Sequence, residues 1–494
     1  MKRERELKLF NAVTGISAGE IERGEKCDFR KKAKIRKITR LSAVACALVI
    51  AIIAVSVFAP APGGKPILLP AASAEVIYEA EYPKSVPAPD QEAYVRKDGE
   101  VDYDAYFLDY NVWVNANMEK RLKSGSAQSM KGYIDATARE ILAKGDGQNK
   151  VYSPMNVYLA LSMLSEITDG DSRGQILSLL GAKNQKALRA QANQVFLSLY
   201  ANDGETTSIP SASVWLRNDM TYKTDALEIL KNDYFASSYK GEMGSDEYNR
   251  LLQNWLDEQT GGLLKEQAQK MTMDRDTVIA LATSLYFKAG WENKFSKSST
   301  LSSVFHAVNG DVTREFMNKS SYDTYYWGEN FSAVALSMTG GGRMWFILPD
   351  EGVLPEMLIE KGLVTDLVMN TGYEMNKSLI INKSIPKFDL TGENDLIQSL
   401  KNLGITDVFD ESKSDFTPLT EETEMVVSKA QHDVRVKIDE EGVEAAAFTV
   451  VMMLATGARP PEDEMDFIVD RPFVFAITSQ DDLPLFMGVV NHLD

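Results

Sequence analysis

Apolar positions recur at helical spacing in YIDATAREILAKG from Tyr133, SPMNVYLALSMLSEITDG from Ser153, EYNRLLQNWLDEQTGGLL from Glu247 and NDLIQSLKNLG from Asn394. β-type runs lie between and after them: VIALATSLYF from Val278, FSAVALSM from Phe331, MWFILP from Met344, SLIINKSIPKFDL from Ser378, DVRVKI from Asp433 and FVFAIT from Phe473. Helices dominate early and strands late, without strict alternation, so the pattern predicts an α+β fold. No period points to a solenoid or propeller. The regular patterning begins near residue 126. Before it, residues 91–125 are dense in Tyr, Val and Asp and fit a strand or an unstructured arm equally.

One segment matches neither period. Leu41 to Ala59 (LSAVACALVIAIIAVSVFA) is 19 residues without a charge, about enough helix to cross a hydrocarbon core of ~30 Å. RKKAKIRKITR precedes it, which places residues 1–40 in the cytoplasm and the C-terminal part outside. The segment therefore predicts a single-pass anchor at residues 41–59 and a cell-membrane location. The alternative is a cleaved leader and secretion, with Ala71 to Ala74 (AASA) as an A-x-A pattern. Residues 60–90 are rich in Pro and Ala and read as a spacer. The expected layout is a basic segment over 1–40, the anchor over 41–59, a spacer and uncertain arm over 60–125, and one large domain over 126–494.

Charge sharpens that layout. The net charge is −18, and residues 1–40 hold 13 Lys/Arg against 6 Asp/Glu, so the remainder carries −25. An acidic body makes nucleic acid an unsuitable partner. Both cysteines, Cys27 and Cys46, precede residue 60, so the large domain folds without disulfides. A core of this size suffices for that.

The chain offers little to an enzyme. Gly170-Asp171-Ser172-Arg173-Gly174 fits G-x-S-x-G, but a nucleophile elbow needs a strand before the serine, and the preceding LALSMLSEIT is helix-patterned. There are three histidines, His306, His432 and His492, and no Cys-x-x-Cys or His-x-x-x-His, so no metal, catalytic residue or cofactor is expected.

From about 126 to the last residues the chain resembles the serpin family. NKVYSPMNVYLALSMLSEITDGDSRGQI is similar to its early Asn-x-x-x-Ser-Pro helix and following turn. NWLDEQTGGLL, SLYFKAGWENKF, FILPDEG, IPKFDL, LKNLGITDVFD, HDVRVKIDEEG and DRPFVFAITSQDDLPLFMGVVNHLD continue the correspondence in order. The resemblance implies a large central β-sheet, further sheets, about eight to nine helices and an exposed reactive-centre loop. It implies an extracellular serine protease inhibitor of bacterial source, not an enzyme. Its partner would be a serine protease caught as a covalent acyl-enzyme.

The loop that the resemblance assigns follows KIDEEG, and its chemistry reads independently. A strand that inserts into a sheet needs alternate side chains that tolerate burial. Val443, Ala445, Ala447, Thr449, Val451 and Met453 are small or apolar, while Glu444, Ala446, Phe448 and Val450 occupy the other face. No proline interrupts Gly442 to Thr456. The hinge is Glu440, Glu441, Gly442, Val443, Glu444, Ala445, Ala446, Ala447 and Thr449. Val443 stands where the family has Thr or Ser, and Phe448 where it has a small residue. Counting from Gly442 puts the reactive bond at Thr456-Gly457. Aligning the double proline shifts it to Ala458, and a longer loop makes Arg459 a candidate. Small residues there suit an elastase-like or subtilisin-like pocket, and Arg459 suits a trypsin-like one.

The resemblance also assigns control positions. Ser153, Asn156, Thr283 and His432 match the shutter beneath the opening sheet, and Trp291 and Glu440 match the breach where the loop enters. This chain has Asn156 where Ser is usual and Thr283 where Asn is usual, an exchange of amide and hydroxyl. The alternative functions are a serpin cleaved as a plain substrate and a cell-surface binding protein.

Overall fold

The structure, a computed structural model, describes residues 74–123, 126–144, 147–370, 372–422, 425–443 and 463–493. Strand β1 (Ala74–Tyr78) is followed by helices α1 (Tyr103–Glu119), α2 (Ser126–Ser129) and α3 (Lys131–Leu142). Next come β2 (Lys150–Tyr152), α4 (Pro154–Glu166), α5 (Gly170–Leu179), α6 (Gln185–Leu199), β3 (Ala201–Asn202) and β4 (Thr206–Arg217). Helix α7 (Thr224–Tyr234), β5 (Ala236–Gly241), α8 (Asp246–Gln259), α9 (Lys265–Lys270) and β6 (Ile279–Gly290) complete the first half. The second half holds β7 (Thr300–Ala307), β8 (Gly310–Gly328), β9 (Phe331–Ser337), β10 (Arg343–Pro349), α10 (Pro355–Glu360) and α11 (Leu363–Val368). It ends with β11 (Asn376–Pro386), β12 (Phe388–Asp395), α12 (Ile397–Asn402), β13 (Gln431–Ile438), β14 (Gly442–Val443), β15 (Glu464–Ile468), β16 (Phe473–Thr478) and β17 (Pro484–Val490).

The α+β expectation holds, with helices early and strands late. Among the described residues there are twelve α-helices, more than the eight to nine expected. The excess comes from one- and two-turn helices such as Ser126–Ser129 and Pro355–Glu360, which carry no extended apolar period. Two sheets organise the body. One is eight-stranded, ordered β1-β5-β4-β6-β14-β13-β12 with β3 beside β4; the other is nine-stranded.

Local chemistry explains the elements that position the site. Helix α4 starts where the Ser153 hydroxyl accepts the Asn156 N–H at 3.3 Å, with Pro154 in the first turn, where its missing N–H costs nothing. Nearly every residue of α4 is buried, as suits a helix packed on all sides. Helix α8 begins at a Ser245 cap on Tyr248 N and runs into Gly261 and Gly262, both at positive φ, which a Cβ would strain. Its Tyr248, Leu252 and Trp255 pack on Trp215 and Tyr239 of the first sheet. In β13, His432, Val434, Val436 and Ile438 point inward while the residues between them are more exposed, the period-two pattern visible in HDVRVKI.

Residues 74–123, expected as spacer and arm, start at the edge of the first sheet and run on to Asp203 and Asp481. β1 pairs antiparallel with β5, Val76 opposite Tyr239, and so covers that edge. The Tyr82 ring stacks on Phe196 and Tyr200, and burial pushes its hydroxyl up to about 12. The arm's second half is neither strand nor unstructured: it is helix α1.

The expected cell-membrane location is corrected. Among the described residues no helix is long and apolar enough to cross a membrane. The longest of them, α1, has 17 residues, or about 25 Å at 1.5 Å per residue, and carries Asp104, Asp109 and Glu119. Residues 41–59 lie outside the described residues.

Candidate functional site

The site forms where β6, β13 and the short β14 converge. Gly442 lies opposite Gly290 and Val443 opposite Ala289, while Val443 also faces Ile438 of β13. β14 is thus a two-residue strand wedged between β6 and β13. A Cβ at Gly442 would run into the Ala289 carbonyl oxygen and the Gly290 backbone, which is why glycine occupies this position. Val443 is 3% exposed, so the apolar side chain at the departure from the family pattern is already buried.

The breach is held by backbone and charge together. Trp291 Nε1 donates to the Asp439 carbonyl at 2.8 Å, and Trp291 N donates to the Glu441 carbonyl at 2.9 Å. Phe295 N donates to the Glu440 carbonyl at 3.1 Å. The Glu440 carboxylate is buried; it accepts from Thr300 Oγ1 at 2.7 Å and pairs with Lys387 at 3.3 Å. Burial pushes the Glu440 carboxyl up, but the hydrogen bonds from Thr300 and Lys387 and the charge of Lys387 outweigh it, and the net shift is downward. Glu441 pairs with Lys294 at 2.9 Å and, more loosely, with Lys297 at 3.8 Å. The Thr339 hydroxyl accepts from Gly290 N at 3.1 Å, donates to the Glu205 carbonyl at 3.0 Å, and so joins the start of β4 to the end of β6.

The shutter is neutral and differently wired. Ser153 N donates to His432 Nε2 at 2.9 Å. The ring is buried, its Nε2 must be unprotonated to accept, and burial brings its pKa down to about 4. Asn394 Nδ2 donates to the Val151 carbonyl at 2.9 Å and to the His432 carbonyl at 3.4 Å, fixing that stretch of β13. On β6, Thr283 Oγ1 donates to Asn156 Oδ1, and Asn156 Nδ2 donates to the Thr283 carbonyl at 3.4 Å. Amide and hydroxyl thus meet, but the two strands are tied separately to the start of α4. Among the described residues β6 and β13 are joined only through β14. Between them lies a cavity of about 370 Å³, lined by β6 from Ile279 to Tyr286, by β13 from Gln431 to Arg435, and by Asn156 and Leu256.

The structure brings Ser153, Asn156, Thr283, Trp291, His432, Glu440, Glu441, Gly442 and Val443 into one continuous region. Glu444, Ala445, Ala446, Ala447 and Thr449, and the bond candidates Thr456, Gly457, Ala458 and Arg459, lie outside the described residues. Beyond the loop, Asp463 pairs with Lys377 and Asp466 accepts from Asn382 Nδ2 at 2.9 Å. Ser172 is fully buried in the first turn of α5, and its Oγ accepts from Asp415 N at 3.2 Å; this is no strand-to-helix elbow. Sequence reasoning missed Thr300, Thr339 and Lys387. Lys387 sits inside the quoted IPKFDL, but its partner Glu440 is 53 residues away and no local period links them.

Comparison with known proteins agrees with this geometry. The family described as "Serpin (serine protease inhibitor)" matches residues 136–493. The chain belongs to the serpin family. Serpin-ZX of Arabidopsis thaliana is 28% identical over 369 residues, covering 71% of this chain and 93% of that protein. Alpha-1-antiproteinase of Rattus norvegicus is 28% identical over 363 residues, covering 71% and 85%. In structure, the native state of the thermophilic serpin tengpin superposes with a TM-score of 0.66 at 24% identity, covering 76% of this chain and 95% of tengpin. Thyroxine-binding globulin in complex with thyroxine superposes at 0.64 with 21% identity, covering 75% and 100%. These two structures establish the fold. The serpin fold expected from the sequence therefore stands, and the family is one of protease inhibitors. The curated relatives are from plants and mammals, so the expected bacterial source finds no support in them.

Proposed function

We propose that this serpin inhibits serine proteases by suicide trapping, and that its targets have elastase-like or subtilisin-like pockets for small residues. The protease serine attacks the carbonyl carbon of Thr456, the bond to Gly457 breaks with its amine leaving, and an ester joins protease to serpin. Insertion of the loop's first half between β6 and β13 then distorts the enzyme before water reaches that ester. The observation that carries the reading is β14: Gly442 and Val443 of the hinge already pair as a strand between β6 and β13, beside a slot in the sheet.

Incubation with elastase and a denaturing gel tests it. A covalent complex of the summed mass is expected, with a released peptide beginning at Gly457. Cleavage without a complex would make the chain a plain substrate. A peptide beginning at Pro460 would move the bond to Arg459 and the target to a trypsin-like enzyme.

A further inference from the structure

We propose that helix α1 is a second contact for the target protease, a docking surface for a basic, Arg/Lys-bearing face of that enzyme beside the reactive-centre loop. This rests on the inhibitory reading and names the partner chemistry at the same end of the molecule.

Helix α1 precedes the family match, which begins at residue 136. It is firmly attached. Asp102 caps its start on Ala105 N at 3.2 Å, and Tyr94 OH donates to Asp109 at 2.7 Å. Trp113 Nε1 donates to Asp203 Oδ2 at 2.9 Å, while Asp203 Oδ1 accepts from Thr206 N at 2.8 Å. Past its end, Arg121 Nε and Leu122 N donate to the Asp481 carboxylate at 3.0 and 3.1 Å. Thr206 therefore anchors the helix to the breach. Thr206 and Val443 flank Ala289 from opposite sides, so two strand spacings, about 10 Å, separate that anchor from the hinge.

What α1 presents outward is unusual for a surface. None of its residues is buried. Tyr103, Phe107, Tyr110, Val114 and Met118 fall at successive steps of three or four, which sets them in one stripe along the helix. Tyr103, Phe107 and Met118 are each more than half exposed, at 53%, 52% and 61%. An ordered helix with an open aromatic stripe marks an interaction site. The same helix carries Asp104, Asp109 and Glu119 and no Lys or Arg, and residues 90–119 hold eight acids against two bases. A second copy laid helix against helix would set three negative charges against three, with no Lys or Arg within α1 to pair them. A basic surface satisfies the carboxylates, and its guanidinium and ammonium groups also favour the faces of Tyr and Phe. Its anchor at Thr206 lies two strands from Val443, where the hinge leaves the sheet.

The test compares the wild type with Tyr103→Ser/Phe107→Ser/Met118→Ser and with Asp104→Asn/Glu119→Gln. Both leave the Asp102, Trp113 and Arg121 anchors intact. With a basic elastase at low salt, the first variant should lose roughly tenfold in association rate and the second roughly threefold, with unchanged stoichiometry of inhibition. With a near-neutral subtilisin both should stay within about twofold of wild type. Equal rates for wild type and both variants would overturn the inference while leaving trapping intact. An elastase whose active-site serine is replaced by alanine separates the two ideas. If wild-type serpin forms no covalent complex with active elastase yet binds the serine-to-alanine elastase more tightly than the variants do, trapping fails and the α1 contact stands. A wild-type dimer in sedimentation that the first variant dissolves would make a second copy the occupant and overturn the proposal.

Discussion

The breach and the shutter lie along the same strands and are fastened by opposite means. At the breach, the turn leading into β14 is gripped by two backbone hydrogen bonds from Trp291 and Phe295, by the Trp291 indole N–H, and by charged groups: Glu440 with Lys387, Glu441 with Lys294 and Lys297. At the shutter the groups are neutral: an imidazole, an amide and a hydroxyl, beside a slot of about 370 Å³. Charge can sit at the breach because solvent reaches Lys294 and Lys387, both partly exposed. It cannot sit at the shutter, where desolvation would cost several kcal/mol per ion. The contrast bears on loop insertion. The upper gap is already occupied by β14, while lower down β6 and β13 are each tied to the start of α4, so parting them would strain the His432 or the Thr283 bond.

Substitutions sharpen that contrast, the largest effect first. Trp291→Ala should destabilise the native state by about 3–5 kcal/mol, because it opens a cavity and orphans the Asp439 carbonyl together. Urea unfolding would read it, and a loss under ~1 kcal/mol would show that the breach does not depend on the indole.

His432 gives the next effect, through pH. Its folded pKa is about 4 against an ordinary 6.5, so the unfolded chain takes up the proton first as pH falls. Its contribution is fully present above pH 6.5 and is lost progressively as pH drops from 6.5 to 4. That amounts to about 3 kcal/mol at 1.36 kcal/mol per unit. His432→Gln should flatten the thermal midpoint over this window, since an amide can still accept from Ser153 N. An unaltered profile would mean that other groups set the acid sensitivity.

Thr283→Val should cost about 1–3 kcal/mol by leaving Asn156 Oδ1 without its donor. The double replacement Asn156→Ser/Thr283→Asn, which restores the family's usual residues, should recover much of that loss. If the single and the double replacement are equally unstable, the two positions do not act as a pair. The smallest effect is expected at the breach rim. Lys297 lies 3.8 Å from Glu441 and is 75% exposed, so Lys297→Ala should change stability by less than about 1 kcal/mol, and by less still in high salt.

Much of this region was legible before any coordinates. The alternation in HDVRVKI assigned a strand with one buried face, because side-chain period reports which face meets the core. The exchange at Asn156 and Thr283 was visible as a pair, and the two residues do meet. Lys387, Thr300 and Thr339 were not legible, since their partners lie 53, 140 and 134 residues away and an ion pair or hydrogen bond leaves no period in the chain. Helix α1 was missed for a different reason. Its apolar residues include many aromatic and β-branched ones, which favour strands, and tertiary anchors at Asp203 and Asp481 override that preference.

The sequence alone determined the α+β class, the order of helices and strands, the glycine at position 442 and the run of small or apolar, uncharged residues at alternate positions after it. Each of these is a property of neighbouring residues, where backbone sterics and side-chain period act. Tertiary structure alone decided that β14 is already seated between β6 and β13, that each shutter strand is bound to the start of α4, and that an acidic aromatic helix is anchored through Asp203 to Thr206, two strands from Val443. Those depend on contacts between residues far apart in the chain, where the free energy is set by burial and geometry that no local pattern encodes.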